Sequence, residues 1–415
     1  MNEKIADPSI QNLIPLLINH HSMKMSVEID QFSYVKKLAM LTQLYLELRL
    51  PLQNALRAAE ADLSNWWFDA TPDRRALGDA AVNNALGLQP DLPEVHLAYA
   101  THLYLAYRDY ERARVQLAIA RRGLVNNAQA ILLEAFMDRR QGRFGRAIQE
   151  FNEAITRDPA NTVAITELAH TFYNMRQFHA AEQAFDPLIE LLPEQLVIKA
   201  QKAWDVIFME TGVDTAARSA IAALPASMAN DSNALWIRLD LALNDRDWPQ
   251  AGELLDRIKA AGEDDDVVGY HLILLALLQG EQPGANPSFA EKREQWNRKV
   301  QKSVQKSPGN AYLLSHLAMA DVFLNKKEAA IAEAKRAVEI LPISKDAVDG
   351  PEIAINLAVV YAWTQELDMA FETLGPLTKT PRGIYYGNLK LNPYWDPLRK
   401  DPRFEKLLAE LAPKD

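Results

Sequence analysis

Cysteine is absent from this sequence of 415 residues. Disulfides, thiolate catalysis and cysteine-based metal sites are therefore excluded. The absence fits a reducing compartment, although a cysteine-free periplasmic protein would look the same. Glycine is scarce, at 16 residues, and no low-complexity run is longer than a few residues. With 48% apolar and 24% charged residues, the composition is that of an ordinary globular chain.

Long apolar runs are also missing, since none approaches the ~20 residues that span a bilayer. The N-terminus carries Glu3 and Asp7 and lacks the basic, then apolar, pattern of a signal peptide. The formal net charge is −10, which disfavours a general attraction to nucleic acid or to an anionic membrane. The chain is therefore predicted to be cytoplasmic, with no membrane insertion and no nucleic-acid partner.

Catalytic and metal-binding motifs are absent as well. The eight histidines form no His-Glu-x-x-His pair, and the acidic run at residues 263–266 lacks the spacing of a calcium loop. There is no Gly-rich phosphate loop, Gly-x-Ser-x-Gly elbow or kinase signature. The sequence predicts no catalytic residue, no metal and no cofactor, and an enzyme with an unrecognised motif is a remote alternative.

What the sequence does contain is a 34-residue repeat, clearest between residues 128 and 193. Small residues at unit positions 8 and 20 let two helices approach closely, an aromatic at position 24 fills the space between units, and a proline at position 32 ends the second helix. In the first unit the residues at positions 8, 20, 24, 27 and 32 are Ala135, Ala147, Phe151, Ala154 and Pro159. In the second unit they are Ala169, Ala181, Phe185, Leu188 and Pro193. This tetratricopeptide (TPR) pattern predicts an all-α, right-handed superhelical α-solenoid of helix–turn–helix repeats.

The repeat register extends in weaker form along most of the chain. The segment 265–307 keeps two helices with a lengthened turn, and a short insert at 343–350 precedes the last unit. The predicted parts are an irregular lead-in at 1–30, degenerate N-terminal repeats or a cap at 31–92, a TPR array at 93–380 and a C-terminal capping segment at 381–415.

The C-terminal segment contains a predicted amphipathic helix. Asp401 can cap it, Pro402 would occupy its first position, and Phe404 and Leu407 would share its apolar face. Because the terminal repeat of a solenoid needs a cover, this helix is predicted to cap the array.

The same tail carries a family resemblance. Residues 396–408 read Asp-Pro-Leu-Arg-Lys-Asp-Pro-Arg-Phe-Glu-Lys-Leu-Leu. This run resembles the end of the TPR modules fused to bacterial class III adenylate/guanylate cyclases, Ser/Thr protein kinases and winged-helix transcription regulators. In such proteins the array is the sensing or partner-binding half. The resemblance implies a signalling module, either a stand-alone relative or the TPR half of a protein whose head is encoded elsewhere.

Candidate binding residues follow from the repeat register. In a TPR array the first helices line the concave groove, with positions 2, 5, 9, 12 and 13 pointing into it. Aromatic side chains there supply anchor area, and Arg and Asn pair with a peptide backbone or a carboxylate. The alternative is that these residues only pack against the next helix. The candidates are His102, Gln129, Phe136, Arg139, Arg140, Thr166, His170, Tyr173 and Asn174.

An arginine-rich stretch between residues 108 and 146 is the main departure from the acidic balance, with nine arginines and four acidic residues. A basic patch could attract an acidic peptide or a nucleic acid. The preferred interpretation is a solvated face with several arginines at helix C-termini. The predicted function is a non-enzymatic scaffold that binds a peptide or partner domain, in bacterial signalling or regulation. The alternative is the regulatory arm of a cyclase, kinase or transcription regulator.

Overall fold

The computed structural model describes residues 72–263, 265–280 and 287–413. These residues form twenty α-helices and no β-strand. The predicted lead-in at 1–30 and most of the predicted N-terminal cap at 31–92 lie outside the described residues. Within the described ranges, no helix is both long and apolar enough to cross a membrane.

The helices follow one another as antiparallel pairs joined by short turns. The first ten are α1 (Pro72–Leu88), α2 (Pro93–His102), α3 (Tyr110–Gly123), α4 (Ala128–Arg140), α5 (Phe144–Arg157), α6 (Thr162–Asn174), α7 (Phe178–Leu191), α8 (Val197–Lys202), α9 (Met209–Thr211) and α10 (Thr215–Ala222). The others are α11 (Ser232–Asp245), α12 (Trp248–Ala260), α13 (Asp265–Leu278), α14 (Pro287–Lys306), α15 (Ala311–Phe323), α16 (Lys327–Ile340), α17 (Gly350–Trp363), α18 (Leu367–Leu377), α19 (Tyr386–Leu391) and α20 (Pro402–Leu411).

Two first helices are interrupted by π-helical turns. One, Leu103–Tyr107, extends α2, and the other, Ala203–Phe208, joins α8 to α9. A π-helical turn contains more residues than an α-helical turn, so it shifts the side chains that follow it relative to the 34-residue template.

The repeat positions identified in the sequence are the packing contacts of the array. Ala135 and Ala147 have no exposed surface where α4 meets α5, and Phe151 fills the same cluster. In the next unit Ala169 likewise has no exposed surface, and Phe185 fills the corresponding cluster. Because an alanine at each crossing lets two helix backbones approach closely, the aromatic ring can bury its full area, which contributes about 2 kcal/mol or more per side chain. The predicted helical-repeat solenoid is confirmed.

The turn between the two helices of a unit has a recurring backbone conformation. One residue of this turn has a positive φ in five successive units: 50° at Arg108, 75° at Gly142, 56° at Arg176, 65° at Gly212 and 59° at Arg246. This left-handed conformation suits glycine and costs roughly 1 kcal/mol for other residues. Three of the five positions nevertheless carry arginine, and each of these side chains contacts the C-terminal part of the chain.

A buried ion-pair cluster joins the insert before α17 to the N-terminal units. Arg140 Nη1 lies 2.7 Å from both Asp346 Oδ2 and Asp349 Oδ2, and its Nε donates to Tyr104 Oη at 2.9 Å. Arg108 pairs with the same two carboxylates. The Ala347 amide also donates to the Arg140 carbonyl at 2.7 Å. Although burial opposes ionisation, the two guanidinium groups hold the pKa of Asp349 well below its usual range.

The segment after α18 continues this contact along the next unit. Arg176 donates to three carbonyls, those of Leu377, Thr380 and Ile384, at 3.0, 2.6 and 2.7 Å. In return, the Arg382 amide donates to the Asn174 carbonyl at 2.7 Å. The left-handed turn thus places the Arg176 side chain against the backbone carbonyls of this loop.

Two further units are contacted by α19 and the turn that follows it. A Cβ on Gly387 would lie 2.1 Å from the Phe208 carbonyl oxygen, so only glycine permits this approach. Arg246 Nη2 lies 2.7 Å from Asp396 Oδ1. The C-terminal segments thus contact five consecutive units. We call this set of contacts, made by residues 346–349, 377–390 and 396, the closure interface.

The helix predicted at the C-terminus is confirmed as α20. Asp401 caps it by accepting a hydrogen bond from the Arg403 amide at 2.9 Å, and Pro402 is its first residue. Phe404 is buried in one cluster with Leu374 and Leu377 of the last repeat. The boundaries drawn at 93, 380 and 381 stay predictions.

The closure interface gives a stability prediction. Asp346→Asn removes a fully buried charge that faces Arg108 and Arg140, so it should lower the free energy of unfolding by about 3 kcal/mol. Asp368→Asn is the matched control, because its partner Arg403 is exposed and its own side chain is 92% exposed. We expect the control to change stability by less than about 1 kcal/mol. Urea unfolding measures both, and equal effects of the two variants would contradict the importance of the cluster.

Candidate functional site

The closure interface encloses a concave surface that carries polar side chains. These side chains are partly exposed, yet protein surrounds them closely enough for burial to raise the pKa of carboxyls such as Asp205 and Glu352. Partial exposure combined with strong desolvation is what the inside of a concave wall produces. We call this surface the inner wall and define it by His170, Tyr173, Asp205, Asp240, Tyr270, His316, Glu352 and Arg382.

Three of the nine residues predicted to bind a partner are buried in internal contacts. His102 Nε2 lies 3.0 Å from Asp79 Oδ1, Arg140 belongs to the buried ion-pair cluster, and Asn174 is 4% exposed beneath the Arg382 amide. Arg140 and Asn174 are buried because the insert before α17 and the loop after α18 pack against the ends of α4 and α6, whereas His102 contacts Asp79 of α1. These three side chains are buried in the free chain, and their assignment as groove residues stays a prediction.

Phe136 and Arg139 lie on the α4 face next to the inner wall. The Phe136 ring stacks on Tyr104 at 6.4 Å and meets Phe151 edge-on at 5.6 Å. Arg139 lies 5.6 Å above the Phe136 ring, and its Nη2 is 2.5 Å from Glu167 Oε2. Burial alone would raise the pKa of Glu167, but the Arg139 guanidinium holds it below its ordinary value. Both predicted residues keep partial exposure.

Gln129, Thr166, His170 and Tyr173 also keep partial exposure. His170 is within hydrogen-bonding distance of the Gln201 amide, at 3.3 Å, and its ring meets Phe185 edge-on at 6.0 Å. Tyr173 stacks on Tyr385 of the closure interface at 4.6 Å. The structure brings His170 and Tyr173 together on one face of α6, while their role in binding stays a prediction.

The prediction missed the carboxylates of the inner wall. Burial raises the pKa of Asp240 to about 7, and the nearby Asp205 adds to this effect. Burial likewise raises the pKa of Asp205, although His170 acts in the opposite direction. The template places Trp204 at unit position 9, but the π-helical turn Ala203–Phe208 brings Asp205 to the inner wall instead. The sequence feature that could have identified these carboxylates is the 35-residue spacing of Asp205 and Asp240, which is close to the repeat length.

Aromatic rings border these carboxylates. Tyr270 stacks on His316 at 4.4 Å and meets His271 edge-on at 5.2 Å. Burial lowers the pKa of His316 to about 3, so this ring is neutral at physiological pH. Glu352 Oε2 lies 3.5 Å from Arg382 Nη2. Among the described residues there is no group of three or more His, Asp or Glu side chains suited to a metal ion.

Most arginines of the arginine-rich stretch form ion pairs within the chain. Arg114, Arg143 and Arg146 converge on Asp138, which is buried, and Arg121 pairs with Glu134. Eight of the nine arginines between 108 and 146 have an ion-pair partner within the chain. The stretch is thus neither a free basic patch nor only a solvated face. Whether nucleic acid binds elsewhere stays untested.

Comparison with known proteins identifies the repeats. Residues 139–203 match the tetratricopeptide repeat family model, which covers the end of the first clear unit, all of the second and the start of the next. The chain therefore contains tetratricopeptide repeats, as the 34-residue spacing predicts. None of the curated proteins matches the sequence.

Three of the solved structures that are similar to this chain illustrate the comparison. Pseudomonas aeruginosa PilF is 15% identical, with a TM-score of 0.29 over 60% of this chain and 93% of that chain. The human IFIT1 dimer with m7Gppp-AAAA is 13% identical, with a TM-score of 0.46 over 94% and 92%. The Cut9–Hcn1 hetero-tetramer of the APC/C is 14% identical, with a TM-score of 0.42 over 90% and 74%. Identities this low concern the fold alone and say nothing about ligands.

The raised pKa of Asp240 gives a pH-dependent stability prediction. The folded state holds this proton up to about pH 7, whereas the unfolded chain releases it near 3.8, so stability falls as pH rises between these values. Asp240→Asn removes that loss and should raise the free energy of unfolding at pH 8 by about 2 kcal/mol, with little change at pH 4. The exposed Asp256→Asn should change stability by less than about 0.5 kcal/mol at either pH.

Thermal unfolding of the three proteins across this pH range measures the effect. A destabilised Asp240→Asn variant at pH 8 would show that the carboxylate has a stabilising partner and that the inner wall is not desolvated as described.

Proposed function

We propose that this tetratricopeptide-repeat chain is a non-catalytic scaffold whose inner wall binds a peptide or partner domain, in bacterial signalling or regulation. Tetratricopeptide folds generally mediate protein–protein interaction, because a stack of repeats presents one extended concave surface. The observation that carries the proposal is the α6 face, where Thr166, His170 and Tyr173 keep partial exposure beside otherwise buried neighbours.

The chemistry of this face suits an extended peptide. Phe136 and Tyr173 offer aromatic surface held in place by neighbouring rings, so little side-chain entropy is lost on binding. The Arg139–Glu167 pair is already formed, so Arg139, which keeps partial exposure, presents a donor without rearrangement. Preorganised polar groups of this kind fix the register of a bound backbone, while the aromatic rings supply most of the affinity.

A second candidate is the regulatory arm of a cyclase, kinase or transcription regulator. The C-terminal motif supports this candidate. However, the motif residues named below all make contacts that hold the end of the array together. Asp396 pairs with Arg246, Arg399 donates to the Lys390 and Asn392 carbonyls, and Phe404 fills the last repeat. The motif therefore indicates that this chain and the TPR modules it resembles end their arrays with the same local structure. Finding a catalytic or DNA-binding head encoded in or beside the same gene would favour this candidate.

Comparative affinity capture tests the inner-wall proposal. The double variant Thr166→Ala, His170→Ala truncates two partly exposed side chains of α6 and should lose the bound partner, with an affinity at least about tenfold lower. The matched control is His179→Ala, Gln183→Ala, which truncates an exposed histidine and a polar side chain on α7 of the same repeat. Partners are captured from native lysate and quantified by mass spectrometry.

Proteins lost from the α6 variant but kept by the α7 control are the inner-wall partners. Recovery of the same set by all three proteins, with circular dichroism showing each of them folded, would refute binding at the inner wall.

A further inference from the structure

Two carboxyl groups meet where α4 packs against α5. Asp138, on α4, has no exposed surface, and the side chain of Glu150, on α5, is 13% exposed. The two groups lie within hydrogen-bonding distance of each other. Arg146 also connects them, because its Nε lies 3.2 Å from Asp138 Oδ2 and its Nη2 lies 3.9 Å from Glu150 Oε1. Asp138 and Glu150 are therefore direct neighbours at the junction of the two helices.

The donors around this pair leave one oxygen of each carboxyl group without a hydrogen bond. Asp138 Oδ1 accepts from Arg114 and from Arg143, whose Nε lies at 2.9 Å and whose Nη2 lies at 2.6 Å. Asp138 Oδ2 and Glu150 Oε2 are buried, and no N–H group of the described residues donates to either of them. Because a buried oxygen without a donor costs free energy, two such oxygens on neighbouring groups indicate a hydrogen atom between them.

A single proton satisfies both oxygens. Two ionised carboxylates in contact repel each other, whereas a protonated carboxyl group donates a hydrogen bond to an ionised one. The donor oxygen and the acceptor oxygen then each have a partner. Such a pair carries one negative charge in place of two, which also lowers the cost of burying it.

Three guanidinium groups surround Asp138. Arg114 comes from α3, Arg143 from the turn before α5, and Arg146 from α5 itself. Although burial acts in the opposite direction, the hydrogen bond from Arg143 and the charge of Arg114 hold the pKa of Asp138 below its ordinary value. Asp138 is therefore the member of the pair that stays ionised.

Glu150 has much less support for a negative charge. Burial raises the pKa of Glu150 to about 8, and the nearby Asp138 and Glu134 carboxylates of α4 add to this effect. The Arg146 guanidinium acts in the opposite direction, but at 3.9 Å its Nη2 is too distant from Glu150 for a hydrogen bond. Arg121, from α3, is engaged by Glu134. Glu150 is therefore the member of the pair that keeps the proton.

We propose that Glu150 is protonated in the folded chain at neutral pH, donates a hydrogen bond to Asp138, and forms with it a pH-sensitive clamp between α4 and α5. Release of the proton in alkaline solution places a second negative charge beside Asp138, so α5 loosens from α4. Asp138 directly precedes Arg139 and Arg140. The clamp therefore fixes the last turn of α4, which carries one residue beside the inner wall and one residue of the closure interface.

Urea unfolding of the full chain at pH 5 and pH 9 tests the clamp. The folded chain holds the Glu150 proton up to about pH 8, whereas the unfolded chain releases it near 4.5, so stability falls as pH rises between these values. Glu150→Gln keeps a donor for Asp138 and cannot ionise. Its unfolding equilibrium constant should be about a hundredfold smaller than that of the wild type at pH 9, and within about fivefold of it at pH 5.

Two further variants complete the comparison. Glu150→Ala leaves Asp138 without the donor, so its unfolding equilibrium constant should be about tenfold larger than that of the wild type at pH 5. Glu153→Gln is the matched control, because Glu153 lies on the same helix, is 42% exposed and pairs only at the surface with Arg157. It should change the equilibrium constant by less than about fivefold at either pH.

Two measurements on the folded chain observe the proton and the junction directly. In protein labelled with ¹³C at the glutamate carboxyl groups, the NMR resonance that is lost in Glu150→Gln should titrate with a midpoint near pH 8. Amide hydrogen exchange of α5, corrected for the intrinsic effect of pH, should become at least about tenfold faster between pH 7 and pH 9. Glu150→Gln should lose this acceleration, because its amide cannot ionise.

The two possible states of Glu150 predict opposite results. If Glu150 were ionised and held by Arg146, Glu150→Gln would be destabilised or unfolded at pH 7, and the Glu150 resonance would titrate near pH 4.5. Either result overturns the proposal. Exchange of α5 that does not respond to pH overturns the clamp even where the proton is present. None of these measurements involves a binding partner, so their outcome is independent of the proposed scaffold function.

Discussion

The buried pairing of Arg108 and Arg140 with Asp346 and Asp349 is the contact on which the rest of the structure depends. Taking four charges out of water costs several kcal/mol per ion, and only close geometry with further hydrogen bonds offsets that cost. Here Tyr104 is hydrogen-bonded to Arg140, and the amides of Val348 and Asp349 donate to the Asp346 carboxylate. The pairing joins segments more than 200 residues apart, which turns an open stack of helices into an enclosed one.

Enclosure explains why ordinary side chains acquire unusual properties. On an open groove, Asp240 would be hydrated and would titrate near its usual value, whereas surrounded on several sides it holds its proton up to about pH 7. The same surroundings lower the pKa of His316 to about 3. The desolvated environment of the inner wall is therefore a consequence of closure, and not of the repeat motif itself.

The turns of the repeats serve two purposes at once. A glycine at the left-handed position is the least strained choice, and it occurs at Gly142, where a Cβ would already touch the Ala347 side chain. At Arg108, Arg176 and Arg246 the backbone accepts some strain, and the long side chain reaches acceptors on the closure interface. Local strain at these turns is thus offset by long-range contacts that a glycine could not make.

The repeat itself was determined by the sequence alone. Ala135, Ala147 and Phe151 meet within a few tens of residues, so their spacing is enough to specify the helix pair, and the Asp401 cap can be recognised in the same local way. Only the tertiary structure decided what the concave face contains. In the sequence, Arg140 occupies a repeat position that a surface arginine could equally occupy. Nothing in the order of residues reveals that Asp346 lies opposite it. The π-helical turn Ala203–Phe208 likewise moves Asp205 off the template, because it changes the number of residues per turn that every periodicity argument assumes.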